Sequence, residues 1–179
     1  LQQSSKPFRK TGLELGRELS HYVAQDVELN LPDISPYICL ALVGTGSECL
    51  GYDDAVSEDH DFTKRCQLFL PDEIYKSYKD KLISYFTNYS QGLVQLESIS
   101  QFYKRYTLYP EGPQSPAEYR RIPQDLLCTA TNGEVFLDNL GTFTNIRQRL
   151  LTYYPEDIRL RKIAYELNQL AQSGQYNLP

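Results

Sequence analysis

The apolar run Ile38-Cys39-Leu40-Ala41-Leu42-Val43, ended by Gly44-Thr45-Gly46-Ser47, constrains the fold more than any other stretch of the chain. A short and nearly continuous apolar run, here from about residue 37 to 43, suits a buried strand. A glycine-serine turn that then opens a short helix, expected over Ser47 to Leu50, presents backbone N–H groups, a positive dipole end and a hydroxyl. Phosphate fits such a place best. Further along stand Asp59 and Asp61, one residue apart. On a strand, side chains at i and i+2 project from the same face. Two carboxylates held side by side repel unless a hard divalent cation neutralises them, and Mg²⁺ is the expected ion, with Mn²⁺ as the alternative. Phosphate cradle and metal clamp together are the equipment for phosphoryl or nucleotidyl transfer. The rival reading of this acidic stretch, a calcium loop, needs an Asp-x-Asp-x-Asp-Gly order that is absent. His60, between the two aspartates, is expected to point to the opposite face.

Composition narrows the classes. With 179 residues, 41% of them hydrophobic, the chain can bury one good core. Its net charge of −5 gives no global field favouring duplex DNA or an acidic membrane surface. Cys39, Cys49, Cys66 and Cys128 form no Cys-x-x-Cys pair and read as reduced core cysteines of a cytoplasmic protein. No apolar run approaches the length of a membrane span. The chain begins at Leu1, contains no Met and stops at Pro179, which reads as a piece of a longer protein.

Periodicity places the elements. Leu13, Leu15, Leu19, Tyr22 and Val23 mark an amphipathic helix from Thr11 to about Leu29, ended by Pro32 and Pro36. Asp59 to Phe62 is expected as a second strand, with Cys66 to Leu70 extending it. Pro71-Asp72-Glu73 starts a helix, with proline early and acids in the first turn. Leu93, Val94, Leu96 and Ile99 suggest a third strand. Residues 107–123 hold four prolines and read as a linker loop. Gln124 to Ala130, Phe143 to Tyr153 and the stretch from Pro155 onward read as helices.

The Gly-Ser and Asp-x-Asp pattern resembles the polymerase-β-like nucleotidyltransferase superfamily. The fuller wording, from Gly46-Ser47-Glu48 through Leu50-Gly51-Tyr52-Asp53-Asp54 to Ser57-Glu58-Asp59-His60-Asp61-Phe62, is similar to one branch of it, the DUF4037 family. So are Ala130-Thr131-Asn132-Gly133-Glu134-Val135-Phe136 with Asp138 and Gly141, Tyr154-Pro155-Glu156-Asp157, and Gln172-Ser173-Gly174-Gln175-Tyr176-Asn177. Lys64 and Arg65 depart from the pattern, which more often has Gly-Pro there.

The resemblance implies an α/β fold leaning to α+β: a nucleotidyltransferase-like small mixed sheet with flanking helices, followed by a C-terminal helical lobe. The lobes are expected at residues 1–106 and 124–179, joined by 107–123, the second continuing beyond the chain in hand. It also implies transfer of a nucleoside monophosphate, AMP from ATP before other NTPs, onto an acceptor hydroxyl with release of pyrophosphate. The acceptor, whether protein, RNA or small molecule, is not legible. Gly46 and Ser47 would hold the phosphates, and Asp59 and Asp61 the metal. A third carboxylate is usual on the next strand, and Glu97 is the nearest candidate. Lys162, with Arg120, Arg121 and Arg147, is a further phosphate partner to weigh. The alternative from another class is a nucleotide-binding or sensing module without transfer activity.

Overall fold

A computed structural model describes residues 10–46, 49, 64–152 and 156–174, with the backbone alone over 156–162. Helix α1, Gly12–Asn30, starts where Thr11 accepts from the Glu14 amide while the Glu14 carboxylate accepts from the Thr11 amide, a reciprocal cap. Its stripe Leu19, Val23 and Val27 is fully buried. A 3₁₀ turn, Ser35–Tyr37, then leads into strand β1, Cys39–Val43, every residue of which is buried. Strand β2, Arg65–Leu70, runs antiparallel to β1. Helix α2, Asp72–Phe86, carries the chain over to β3, Leu93–Ser98, which is parallel to β2.

Five helices and one more strand follow among the described residues. Ser98 caps helix α3, Ile99–Thr107, and Ser115 caps the short α4, Pro116–Arg120. Helix α5, Gln124–Ala130, precedes strand β4, Gly133–Asp138, which pairs antiparallel with β1. Helices α6, Thr142–Thr152, and α7, Glu156–Gln172, follow. The described residues therefore form seven helices and a four-stranded mixed sheet of order β3-β2-β1-β4, the mixed α/β class that the sequence indicates.

Strand alternation sorts the core into two layers. Leu40, Cys66, Leu68, Leu70 and Val94 pack under α1 and α2. On the opposite face Cys39, Ala41, Val43 and Phe69 pack with Phe102, Tyr103, Tyr119, Leu127, Phe143 and Ile146 from α3, α4, α5 and α6. Among the described residues no helix is long and apolar enough to cross a membrane.

Three local expectations change. Residues 133–138, given no element of their own inside the expected helical lobe, form the edge strand β4, because Val135 and Leu137 each find one of the two core layers. Residues 107–123, expected as a linker loop, contain α4. Its Tyr119 and the following Ile122 are buried, and the Tyr119 hydroxyl donates to the Leu150 carbonyl at 2.9 Å. The run expected to extend a strand over 59–62 is β2 itself, whereas 59–62 lie outside the described residues, as does the expected short helix at 47–50 apart from Cys49.

Candidate functional site

The chain leaves the sheet at the end of β1, and that exit is built tightly. The Gln67 side chain accepts from the Val43 amide at 2.8 Å and donates to the Val43 carbonyl at 2.9 Å, closing the ladder where the two backbones part. On the other side Gly133 pairs with Val43. Its φ of +86° suits glycine, and a Cβ there would overlap the Leu42 carbonyl oxygen. Held from both sides, the chain turns out through Gly44 and Gly46, with φ of +91° and +120°. Thr45 and Gly46 are exposed. The amides of Gly44, Thr45 and Gly46 find no partner among the described residues. Cys49 closes the turn, its amide donating to the Gly46 carbonyl at 3.1 Å and its thiol to the Thr45 carbonyl at 3.6 Å. Amides without a partner among the described residues, in a glycine turn at a strand end, suit an anion such as phosphate.

Beside the turn lies an accessible stretch of sheet. Arg65 and Gln67 of β2, and Leu93, Gln95 and Glu97 of β3, share the face to which Phe69 belongs, but they are only half-buried or exposed. Arg65 donates to the Gln95 side chain at 2.9 Å. At the rim, Phe102 and Tyr106 of α3 approach the turn. A Cβ at Gly44 would stand 3.4 Å from the Phe102 ring and 3.7 Å from the Tyr106 ring.

Of the residues singled out by sequence, Gly46 is at this turn. Ser47, Asp59 and Asp61 lie outside the described residues. Lys162 belongs to α7, with its side chain outside the described set. Glu97 is on the accessible face, four residues along from Leu93, which pairs with Arg65. Both of its carboxylate oxygens accept from the Arg105 guanidinium. Among the described residues no three His, Cys, Asp or Glu side chains are grouped to hold a metal.

The basic residues separate by role. Lys64 turns toward α1, 3.1 Å from Glu18 and over the Tyr22 ring, whereas Arg65 lies on the accessible face. Arg147 points its guanidinium at the carbonyls of Ala130, Thr131, Asn132 and Gly133, at 3.5, 3.1, 3.3 and 2.8 Å. Burial pulls its pKa below that of a free guanidinium. Arg147 thus caps the carboxyl end of α5 and fixes the start of β4 against the turn. Asp138 accepts from the amides of Gly141 and Thr144 and caps α6.

Arg105, Gln67 and Gln95 were not singled out by sequence. Tyr106 was expected only as one of four tyrosines, with Tyr103, Tyr109 and Tyr119, around the proline-rich stretch where a base could stack.

The family model described as "Domain of unknown function (DUF4037)" matches residues 119–179. No curated protein and no solved structure matches the chain significantly. Residues 119–179 hold α5, β4, α6 and α7, and over this stretch the chain is similar to the DUF4037 family.

Proposed function

We propose that the protein is an Mg²⁺-dependent nucleotidyltransferase. It moves a nucleoside monophosphate, AMP from ATP in the first instance, onto an acceptor hydroxyl. The observation that carries this reading is the Gly44–Gly46 turn, exposed at Thr45 and Gly46, whose amides find no partner among the described residues and stand at the end of a buried strand beside an accessible polar sheet face. In this reading Gly46 and Ser47 hold the β- and γ-phosphates, and Asp59 and Asp61 hold the metal. Mg²⁺ would supply charge neutralisation of the phosphates and a more acidic acceptor hydroxyl. The acceptor oxygen bonds to the α-phosphorus, the bond to the β-phosphate oxygen breaks, pyrophosphate leaves and the hydroxyl proton passes to solvent.

A second reading, a nucleotide-binding module without transfer, is favoured by one observation. Glu97, the expected third carboxylate, is engaged by Arg105, and among the described residues no other acid groups with it to hold a metal.

Isothermal titration with ATP in the presence of Mg²⁺ tests the site. Binding is expected, with a loss of about 100-fold or more in the double variant Asp59→Ala, Asp61→Ala, whose circular dichroism should match wild type. Binding without Mg²⁺ dependence, or undiminished in the double variant, would overturn the metal–nucleotide site. Labelled ATP incubated with cell extract then separates the two readings. Labelled acceptor and released pyrophosphate mean transfer, whereas ATP binding without either means the binding module.

A further inference from the structure

We infer that Arg105 is an anion-binding side chain of the nucleotide site, contacting the phosphate chain, and that Glu97 orients it rather than binding metal. The inference rests on the nucleotide reading above and deepens it. A chain of contacts carries it. Glu97, on β3, offers both carboxylate oxygens to the Arg105 guanidinium. The Arg105 guanidinium carbon stands 5.4 Å from the centre of the Tyr106 ring. The Tyr106 ring edge and hydroxyl in turn lie 3.7 and 3.8 Å from the place a Gly44 Cβ would occupy. One aromatic ring therefore separates the guanidinium from the glycine turn, a spacing of the order of a polyphosphate's length.

The two partners differ in freedom. The Glu97 side chain is only 18% exposed, whereas that of Arg105 is 50% exposed. A carboxylate that accepts on both oxygens from one guanidinium has little left for a cation. A guanidinium has five N–H donors, and those not turned to Glu97 remain available to phosphate oxygens. The cation–π contact with Tyr106 and the carboxylate fork hold the planar group before ligand arrives, so little rotamer freedom is lost on binding. The hydrogen bond that Arg105 donates to Glu97 holds the Arg105 pKa above its usual value, and burial opposes this only partly. Other charged or polar groups on this face are Arg65 and Gln95, bonded to each other, and Gln67, committed to Val43.

The test titrates the full chain with Mg·ATP and, separately, with Mg-tripolyphosphate, which presents phosphate without base or sugar. Arg105→Ala is expected to weaken both about tenfold or more, by a similar factor, and Arg105→Lys to recover part of the loss. Glu97→Gln should leave the Mg²⁺ midpoint for ATP binding unchanged, and in the Arg105→Ala background it should change nothing further. Melting temperature and circular dichroism establish that each variant is folded. Should Arg105→Ala misfold, Arg105→Lys and Arg105→Gln decide in its place. Equal affinities of wild type and Arg105 variants would overturn the inference while leaving the nucleotide reading intact. So would a shift of about tenfold in the Mg²⁺ midpoint of Glu97→Gln, which would return Glu97 to the metal. Wild-type protein that binds neither ligand would overturn both.

Discussion

At Asp26 one carboxylate joins two helices. It accepts from the hydroxyls of Tyr85 and Tyr89 at 2.6 Å each, both near the end of α2, and from Asn30 on its own helix. Burial pushes this carboxyl up, but the three hydrogen bonds outweigh it and hold it below the usual carboxylate range. Burial, then Asp26, raises the Tyr89 phenol. A depressed carboxyl contributes stability that is fully present above the ordinary Asp value of about 3.9 and lost as pH falls through the folded one. Asp26→Asn should therefore melt lower than wild type near pH 7, by on the order of 1 kcal/mol after solvent screening. The gap should close as pH drops below about 4. A thermal melt series of both proteins from pH 7 to 3 measures it, and a gap independent of pH would assign the loss to packing. None of this was visible in sequence, where Asp26 is one acid among many. The turn glycines, by contrast, were legible, because only a glycine-rich stretch after an apolar run adopts such φ values without strain.

Among the elements, β4 is the most informative. Its first residue, Gly133, has no room for a side chain. A Cβ would overlap the Leu42 carbonyl oxygen and stand 2.8 Å from the Val43 Cα, at a φ of +86°. Gly133→Ala is expected to destabilise by about 3 kcal/mol or more, since backbone rather than a flexible side chain must yield. Gly141 has a similar φ of +80° but nothing within 4 Å, so Gly141→Ala should cost only about 1–2 kcal/mol. Urea unfolding of the two variants makes the comparison. Equal losses would mean that φ alone matters and that the close approach to β1 does not. Arg147 belongs to the same element scale. Sequence suggested a phosphate ligand, and the structure has it capping α5 with carbonyl contacts that anchor β4. The helices α1 and α2 were readable because their caps and apolar stripes are local. Strand β4 was not, because a run as short as Val135-Phe136-Leu137 becomes a strand only through pairing with β1.

For the whole molecule, the question is whether the first 106 residues stand alone. The core layer that holds Cys39, Ala41, Val43 and Phe69 takes Tyr119, Leu127, Phe143, Ile146 and Leu150 from beyond residue 107. A fragment 1–106 would expose that layer and leave β1 without its β4 neighbour. It should show no cooperative thermal transition and should aggregate, whereas the full chain unfolds cooperatively. A sharp transition in the fragment would instead establish an independent sheet lobe. The sequence already contained the buried strand β1, the glycine turn after it, the capped helices α1 and α2 and the strand at 93–98. Each of these rests on periodicity, capping and backbone preference within a few neighbouring residues. Tertiary structure alone decided that a later segment closes the sheet as β4 and that Lys64 and Arg65 part to opposite sides. It alone decided that Arg147 serves backbone carbonyls and that Glu97 meets Arg105 next to the turn. Those outcomes depend on which residues distant in the chain arrive together, and charge or polarity at one position does not say which partner will be nearest.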